Sequence, residues 1–192
     1  MREGPRALRA GYRVVPAQRD HLAHLAAVER AAATRFAEAD LPSPLRDETL
    51  APEELAEAQA DGRLWVALAP DGEPVGFALA CLVDGASYLE EIDVDPRHAQ
   101  RGLGTALVRA ACDWARAHGH RTLSLVTYRH LPWNAPWYGR LGFRVLSRAE
   151  LGPGLREILE DDARRGLDPA RRVAMRCDLD ARRGGAGSPP AG

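Results

Sequence analysis

Hydrophobic residues recur along the chain with two different spacings, and each spacing predicts one kind of element. Five segments have the three-to-four-residue spacing of an amphipathic helix: 20–36, 52–62, 103–118, 134–141 and 155–165. Asp20 is placed to cap the first helix, and Gly119 is placed to end the third, which has the most regular apolar stripe. Pro42 and Pro44 predict an interruption between the first two helices.

Short runs rich in Val, Leu and aromatic residues lie between these helices and predict strands. They cover 12–15, 64–69, 75–83, 87–94, 122–127, 143–146 and 173–179. The turn signals Pro70–Pro74 and Asp84–Gly85 join three of the strands as consecutive hairpins. A three-strand meander followed by a strand, a helix and another strand predicts an α/β protein with a mixed sheet covered by helices.

The chain has 192 residues, which is the size of one domain. We predict a flexible leader at 1–10, a single domain at 11–180 and a disordered, Arg- and Gly-rich tail at 181–192. The first residues contain no apolar run typical of a signal peptide, and no stretch is apolar enough to cross a membrane. These features favour a soluble, cytoplasmic protein.

Charge and cysteine content exclude several classes of function. There are 26 Lys+Arg and 27 Asp+Glu residues, so no net charge attracts nucleic acid or an anionic membrane. All the basic residues are arginines, which excludes catalysis by a lysine Schiff base and is typical of a GC-rich bacterial genome. Cys81, Cys112 and Cys177 are far apart and form no zinc or disulfide pattern, and the histidines have no metal-ligand spacing.

The segment from Val94 to Leu107 carries the most specific chemistry. It joins the end of a strand to the start of the best-defined helix, where unpaired N–H groups and the helix dipole favour a phosphate. Gly102 and Gly104 let a ligand approach the backbone, and Arg97 and Arg101 add positive charge. The glycine spacing fits neither GxGxxG nor GxxxxGK[ST], and an ordinary tight turn is the alternative.

Val94-x-Pro96 with Gln100-Arg-Gly-Leu-Gly-Thr-Ala-Leu resembles the acetyl-CoA motif of the GNAT N-acetyltransferases, and 134–143 resembles their second motif. The resemblance covers about residues 12–179. It implies a twisted, mostly antiparallel sheet of six to seven strands and acetyl-CoA as co-substrate, without a metal. The implied cofactor-binding residues are Ile92, Asp93, Val94, Gln100, Arg101, Gly102, Leu103, Gly104 and Thr105. The chain departs from the family pattern at Ala99 and Leu131, so no family role is assigned to Asn134.

The same resemblance implies that Tyr138 protonates the leaving thiolate and that a backbone N–H within Ile92–Val94 polarises the acetyl carbonyl. For the base, strand alternation would put Tyr88 and Glu90 on one face and Glu91 on the other, and family positions then select Glu90. A surface role for both glutamates is the alternative, and His130 is another candidate base. Trp133 and Trp137 flank the predicted site, as lining or as packing residues.

The implied function is acetyl transfer to a primary amine by direct attack in a ternary complex. The acceptor is a small molecule or a peptide N-terminus, and Glu29, Glu38 and Asp40 are candidates for attracting its ammonium group. The alternative is an acyl-CoA-binding sensor without efficient turnover. A nucleic-acid-binding module is supported only by arginine pairs at 164–165, 171–172 and 182–183, and we expect no nucleic acid or membrane partner. A homodimer is left open.

Overall fold

The structure is a computed structural model that describes residues 7–180. Seven strands form one sheet in the spatial order β1-β2-β3-β4-β5-β7-β6. Only β4 and β5 are parallel, and every other neighbouring pair is antiparallel, so the predicted mixed, mostly antiparallel sheet is confirmed. The strands are β1 (Arg13–Pro16), β2 (Leu64–Leu68), β3 (Pro74–Val83), β4 (Ala86–Val94), β5 (Thr122–Tyr128), β6 (Arg144–Val145) and β7 (Arg172–Asp178).

Helices cover both faces of the sheet. The long helix α4 packs on one face together with α5, while α1, α3 and α6 pack on the other. Burial on both faces explains why all five residues of β2 are buried and why their sequence shows no polar alternation. The helices are α1 (Leu22–Ala33), α2 (Ser43–Arg46), α3 (Pro52–Ala60), α4 (Leu103–Ala117), α5 (Ala135–Arg140) and α6 (Pro153–Arg164).

One local expectation about the N-terminal helices is wrong, and another is confirmed. Asp20 does not cap α1, because it lies inside a one-turn 3-10 helix (Arg19–His21) that precedes α1 and begins after Gln18. The interruption predicted at Pro42 and Pro44 is present, since α1 ends at Ala33 and α3 begins at Pro52. Pro42 precedes the short helix α2 and Pro44 lies in its first turn, where a missing N–H costs no hydrogen bond.

The sheet opens between its two parallel strands. β4 and β5 pair only at Ser87 with Leu123 and at Tyr88 with Ser124, although β4 continues to Val94. The N–H of Asp95 donates to the carbonyl of Val75 at 2.9 Å, and Gly76 lies opposite Val94. The alternation of an antiparallel ladder then directs the peptide groups of Ile92 and Val94 toward the opening. A polar backbone edge is therefore available at the centre of the sheet.

A β-bulge in β4 changes which glutamate faces which side. Leu79 pairs with Glu91 and Ala80 pairs with Leu89, so Glu90 is an extra residue without a partner in β3. Simple alternation fails across the bulge, and Glu91, not Glu90, shares a face with Tyr88. The predicted face assignment of Glu90 and Glu91 is therefore wrong.

Parts of the predicted domain boundaries lie outside the described residues, namely 1–6 of the leader and the tail 181–192. Residues 7–9 of the predicted flexible leader contact the glycine turn at Arg101 and Gly102. Within residues 7–180, no helix has the length and apolar character needed to cross a membrane.

Candidate functional site

A cavity of about 990 Å³ lies at the glycine turn, and we call it the glycine-turn cavity. It follows the open edge of β4, the start of α4 and one side of α5. Of the nine residues predicted to bind the cofactor, eight line it: Ile92, Asp93, Val94, Gln100, Gly102, Leu103, Gly104 and Thr105. Trp133 and Trp137 also line this cavity, so the two predicted tryptophans flank the cofactor side of the site.

The glycine turn contains two residues with positive φ angles, and at one of them, Gly102, the N-terminal segment leaves no space for a side chain. Gln100 and Gly102 have positive φ angles of 60° and 82°, and Gly102 is the residue before α4. A Cβ on Gly102 would come within 2.4 Å of the carbonyl oxygen of Ala7, because the N-terminal segment crosses the turn. The N–H of Arg9 also donates to the carbonyl of Arg101 at 3.0 Å. Gly102 thus joins the turn to the N-terminal segment.

Gly104 allows the first turn of α4 to contact α5. A Cβ on Gly104 would lie 3.2 Å from two ring atoms of Trp137, which is a tight contact. The space beside Gly104 is therefore shared between the cavity and the indole. This packing role differs from the direct phosphate approach expected from the sequence, although Gly104 does line the cavity.

The two arginines of the turn are not directed into the cavity. Arg97 forms an ion pair with Asp95 at 2.6 Å, so its charge is neutralised locally. Arg101 donates to the carbonyl of Arg97 and its guanidinium lies 5.6 Å from the centre of the Tyr12 ring. The expected positive charge at the cavity comes instead from Arg35 and Arg140, which line it.

Polar groups of the glycine-turn cavity fit the amides of a pantetheine arm. The peptide groups of Ile92 and Val94 face the opening of the sheet, where an extended ligand can replace the missing strand. Trp133 Nε1 and Asn134 Oδ1 are buried and have no hydrogen-bond partner in the structure. Such groups are costly unless a ligand or water satisfies them. The donor set is amide and indole N–H with carbonyl oxygen, as coenzyme A requires.

A second cavity of about 1,080 Å³ lies on the other side of β4, and we call it the acidic groove. Its walls come from α1, α3, α6 and the segment between α1 and α3, and its floor is β4. It shares five lining residues with the glycine-turn cavity: Phe36, Ile92, Asp93, Asn134 and Tyr138. Because the two cavities meet at the opening of the sheet, two ligands bound from opposite sides can touch there.

Glu91 lies on the floor of the acidic groove beside this junction. Its carboxylate accepts a hydrogen bond from the N–H of Ile92 at 3.1 Å. Burial raises the pKa of Glu91 to about 7, and the nearby carboxylate of Glu29 adds to the rise. The pKa of Asp93 is also raised, by burial and by Glu91 and Glu29. A carboxylate that ionises near neutral pH is suited to act as a general base.

Tyr138 lies at the junction of the two cavities and its side chain is 5% exposed. Its ring packs edge-to-face on Phe143 and tilts against Trp137, which holds it at the opening. Burial, followed by the carboxylates of Glu91 and Asp93, raises the pKa of Tyr138 above its ordinary value. The hydroxyl therefore keeps its proton at neutral pH and can donate it.

Other candidates from the sequence have different positions. Glu90 is exposed on the rim of the acidic groove. His130 lines neither cavity, and its Nε2 lies 3.0 Å from the carboxylate of Asp40. Asp40 is buried and also binds Arg171, while Glu38 binds the backbone and hydroxyl of Ser43. Of the three acids proposed to attract an ammonium group, only Glu29 lines the groove.

The arginine pairs of the C-terminal region form internal ion pairs. Arg164 pairs with Asp161 and Arg165 with Glu48, while Arg171 and Arg172 pair with Asp40 and Asp162. These four residues therefore provide little unpaired charge for nucleic acid, and the pair at 182–183 lies outside the described residues. Among residues 7–180, no group of three or more His, Cys, Asp or Glu side chains could hold a metal ion.

Sequence reasoning named Glu29 only as one of three acids that attract the ammonium group, and it assigned no role in the site to Glu91. Glu29 follows Leu25 by four residues and precedes Ala32 by three, so it lies in the buried stripe of α1. A carboxylate inside an apolar stripe is the signal that could have identified it. Glu91 left no comparable signal, because the bulge that turns it toward the groove cannot be recognised from residue alternation.

The family comparison agrees with this geometry. The model of the acetyltransferase (GNAT) family matches residues 26–143, and the chain belongs to this family. Streptothricin acetyltransferase of Streptomyces lavendulae is 37% identical over an alignment that covers 44% of this chain and 46% of that protein. Aminoglycoside N(6')-acetyltransferase type 1 of Klebsiella aerogenes is 40% identical over an alignment that covers 28% of this chain and 41% of that protein. The alignments thus span less than half of these relatives.

Solved structures show the same fold. N-acetylglutamate synthase from Neisseria gonorrhoeae, complexed with coenzyme A and N-acetyl-glutamate, gives a TM-score of 0.66 at 20% identity, covering 90% of this chain and 36% of that chain. PaiA N-acetyltransferase from Thermoplasma acidophilum, in complex with coenzyme A, gives 0.65 at 14% identity, covering 87% and 98%. At these identities the likeness shows the fold alone.

Proposed function

We propose that the protein is an acetyl-CoA-dependent N-acetyltransferase that acetylates a primary amine by direct attack in a ternary complex. The observation that supports this best is the meeting of two cavities at Tyr138 and the open edge of β4. The glycine-turn cavity has amide-binding groups and two arginines, which suit coenzyme A. The acidic groove suits a cationic amine. A bacterial, cytoplasmic enzyme is part of the same proposal.

Acetyl-CoA supplies the thioester carbonyl, and residues of the chain would hold it in the glycine-turn cavity. The N–H groups of the helix start at Leu103 and Gly104 suit the pyrophosphate. The N–H of Val94 and the carbonyl of Ile92 suit the pantetheine amides and the acetyl oxygen, since the N–H of Ile92 donates to Glu91. The cofactor-binding roles of Gln100, Arg101 and Thr105 remain predictions. Arg101 does not line the cavity, and its side chain donates to the carbonyl of Arg97.

Amide formation requires a neutral amine and a protonated leaving thiol. In our proposal Glu91 accepts the proton of the ammonium, directly or through water, from the acceptor side of β4. Tyr138 donates its proton to the sulfur that leaves on the opposite side. The bulge supports Glu91 over Glu90 for the first role, because it turns Glu91 toward the junction and leaves Glu90 on the exposed rim.

The test is release of free thiol from acetyl-CoA with a library of primary amines, together with mass detection of the acetylated product. Reactions without amine measure hydrolysis. Streptothricin and aminoglycosides belong in the library because similar proteins are named for them; amino acids and peptides with free N-termini are included as well. We expect an acetylated product that is 42 Da heavier per acetyl group in at least one reaction.

The same experiment tests the alternative of an acyl-CoA sensor. Calorimetry that shows acetyl-CoA binding, together with no thiol release above hydrolysis for any amine, would contradict the proposed enzyme and support the sensor. No feature of the described residues favours the sensor, since the acid candidate lies at the junction and the base candidate lies beside it.

A further inference from the structure

The charge of the acidic groove is far from that of the whole protein. The chain has a net charge of -1, whereas the groove is lined by three arginines and ten carboxylates. The arginines are Arg164, Arg165 and Arg172, and the acids are Glu29, Glu48, Glu54, Asp84, Glu90, Glu91, Asp93, Glu157, Asp161 and Asp162. One amine would leave most of this charge without a counterion.

Each groove arginine is already paired with a groove acid. Arg164 pairs with Asp161 at 3.2 Å, Arg172 pairs with Asp162 at 2.7 Å, and Arg165 pairs with Glu48. The other seven acids have no cationic partner within 4.0 Å among residues 7–180. Charges held together in a half-buried cavity repel one another strongly unless cations enter. Protonation relieves part of this repulsion, as the raised pKa values of Glu91 and Asp93 show, and a ligand with positive charge would favour the ionised form of these acids.

Two largely buried tyrosines also present their hydroxyls to the groove. Tyr88 and Tyr138 line it with side chains 6% and 5% exposed, and neither hydroxyl has a hydrogen-bond partner among residues 7–180. Tyr138 has a role in the proposed reaction, but Tyr88 does not. Tyr88 follows Ser87 at the point where β4 and β5 still pair, so its hydroxyl lies away from the opening of the sheet. The hydroxyl of Tyr88 is therefore available to a polar group of a ligand.

The unpaired acids form two clusters along β4. An inner cluster, Glu29, Glu91 and Asp93, lies by the junction, and Asp93 also lines the glycine-turn cavity. An outer cluster, Glu54 and Glu90, lies toward Cys81, where α3 approaches the rim. Asp93 is three positions after Glu90, which gives a backbone separation of at most roughly 10 Å, because the bulge at Glu90 shortens the strand. The two clusters are thus spaced as the ends of a short diamine.

We propose that the acceptor is a small polyamine with at least two positive charges: the reacting amine lies at the inner cluster, and a second ammonium binds the outer cluster. The inference rests on the proposed function and specifies its substrate class. Glu54 is then a specificity residue, since α3 brings it to the rim far from the reacting atoms. Tyr88 would accept a hydrogen bond from an ammonium or amine N–H between the clusters.

The test compares kcat/KM for α,ω-diaminoalkanes, from 1,3-diaminopropane to 1,8-diaminooctane, with aminoalkanes of matched length. We expect the best diamine to exceed its monoamine by about 10- to 100-fold at low salt, with the advantage shrinking as salt is added. Glu54→Gln should reduce the diamine advantage by about 5- to 10-fold, mainly through KM. Glu53→Gln is the matched control, because Glu53 is exposed on the same helix and does not line the groove.

Equal kcat/KM for diamines and monoamines would overturn the inference and leave the proposed acetyltransferase intact, as would equal effects of Glu54→Gln and Glu53→Gln. If no amine releases thiol, the proposed function fails, and calorimetry with the same diamines decides the inference separately. Diamine binding that Glu54→Gln weakens and Glu53→Gln does not would support it. Absence of diamine binding to the wild-type protein would overturn it.

Discussion

Glu91→Gln should increase the stability of the protein at high pH while it removes activity. The side chain is held among other charged and titratable groups: Glu29 from α1, Asp93 and Glu90 on its own strand, Arg172 from β7 and Tyr138 from α5. Burial and these acids make the ionised carboxylate unfavourable. Glutamine has nearly the same shape and can still accept the hydrogen bond from the N–H of Ile92. The substitution therefore removes charge with little change in packing.

The direction of the pH effect follows from the raised pKa. Glu91 has a pKa of about 7 in the folded protein against an ordinary value of 4.5. The folded state binds the proton more tightly, so stability falls as pH rises from about 4.5 to about 7, and the full penalty is present above that. The difference in pKa corresponds to at most about 3 kcal/mol. Because the side chain is only partly buried, we expect about 1–3 kcal/mol.

The assay is chemical denaturation of wild type and Glu91→Gln at about pH 5 and about pH 8.5, at the same ionic strength. The variant should gain in free energy of unfolding at the higher pH and gain much less at the lower pH. Glu90→Gln is the matched control: it removes the same charge from the neighbouring exposed position and should show a smaller, flatter difference. A stability difference for Glu91→Gln that is the same at both pH values would refute the argument.

Measurements of activity test the roles of Glu91 and Glu90 independently of stability. If Glu91 is the base, wild-type kcat/KM should rise with pH through about 7, and Glu91→Gln should lose most activity near neutral pH, with a smaller loss where the amine is already neutral. Glu90→Gln should keep the wild-type pH profile. The reverse result, with Glu90→Gln damaging and Glu91→Gln harmless, would restore the assignment expected from simple strand alternation.

Two further substitutions test the cofactor side. Tyr138→Phe keeps the ring packing and removes the proton donor, so turnover should fall by about 10- to 100-fold while acetyl-CoA affinity is retained. Steady-state kinetics and calorimetry measure the two quantities. Wild-type turnover of the variant, under conditions where the chemical step limits the rate, would exclude the acid role. Gly104→Val should push on the Trp137 ring, which a Cβ would already approach to 3.2 Å, and lower acetyl-CoA affinity at least 10-fold while the fold is kept. Gly139→Ala is the control, since nothing lies within 4 Å of its added Cβ. Unchanged acetyl-CoA affinity in a folded Gly104→Val protein would contradict the assignment of the glycine-turn cavity to the cofactor.

Local patterns determined most of the fold before any tertiary information. The seven strands, the long helix α4 and the strand-turn-helix context of Gly102 all follow from apolar spacing and turn residues. These features are local because a strand or helix needs only its own periodicity and its own ends to be recognised. The positions of Tyr138 and the glycine turn were predicted for the same reason, since each lies in a contiguous motif.

Tertiary structure decided the electrostatics of the site. The bulge at Glu90 arises from pairing with β3 and turns Glu91 into the groove. Folding also pairs Arg97 with Asp95 and directs the charge expected at the glycine turn away from the cavity. Neither outcome can be derived from the order of residues, because a register shift and an ion pair depend on what another part of the chain places opposite. The glycine-turn motif can be recognised in the sequence. The side of β4 that Glu91 faces, its raised pKa and the ion pair of Arg97 all depend on the contacts that distant strands and helices make in the folded protein.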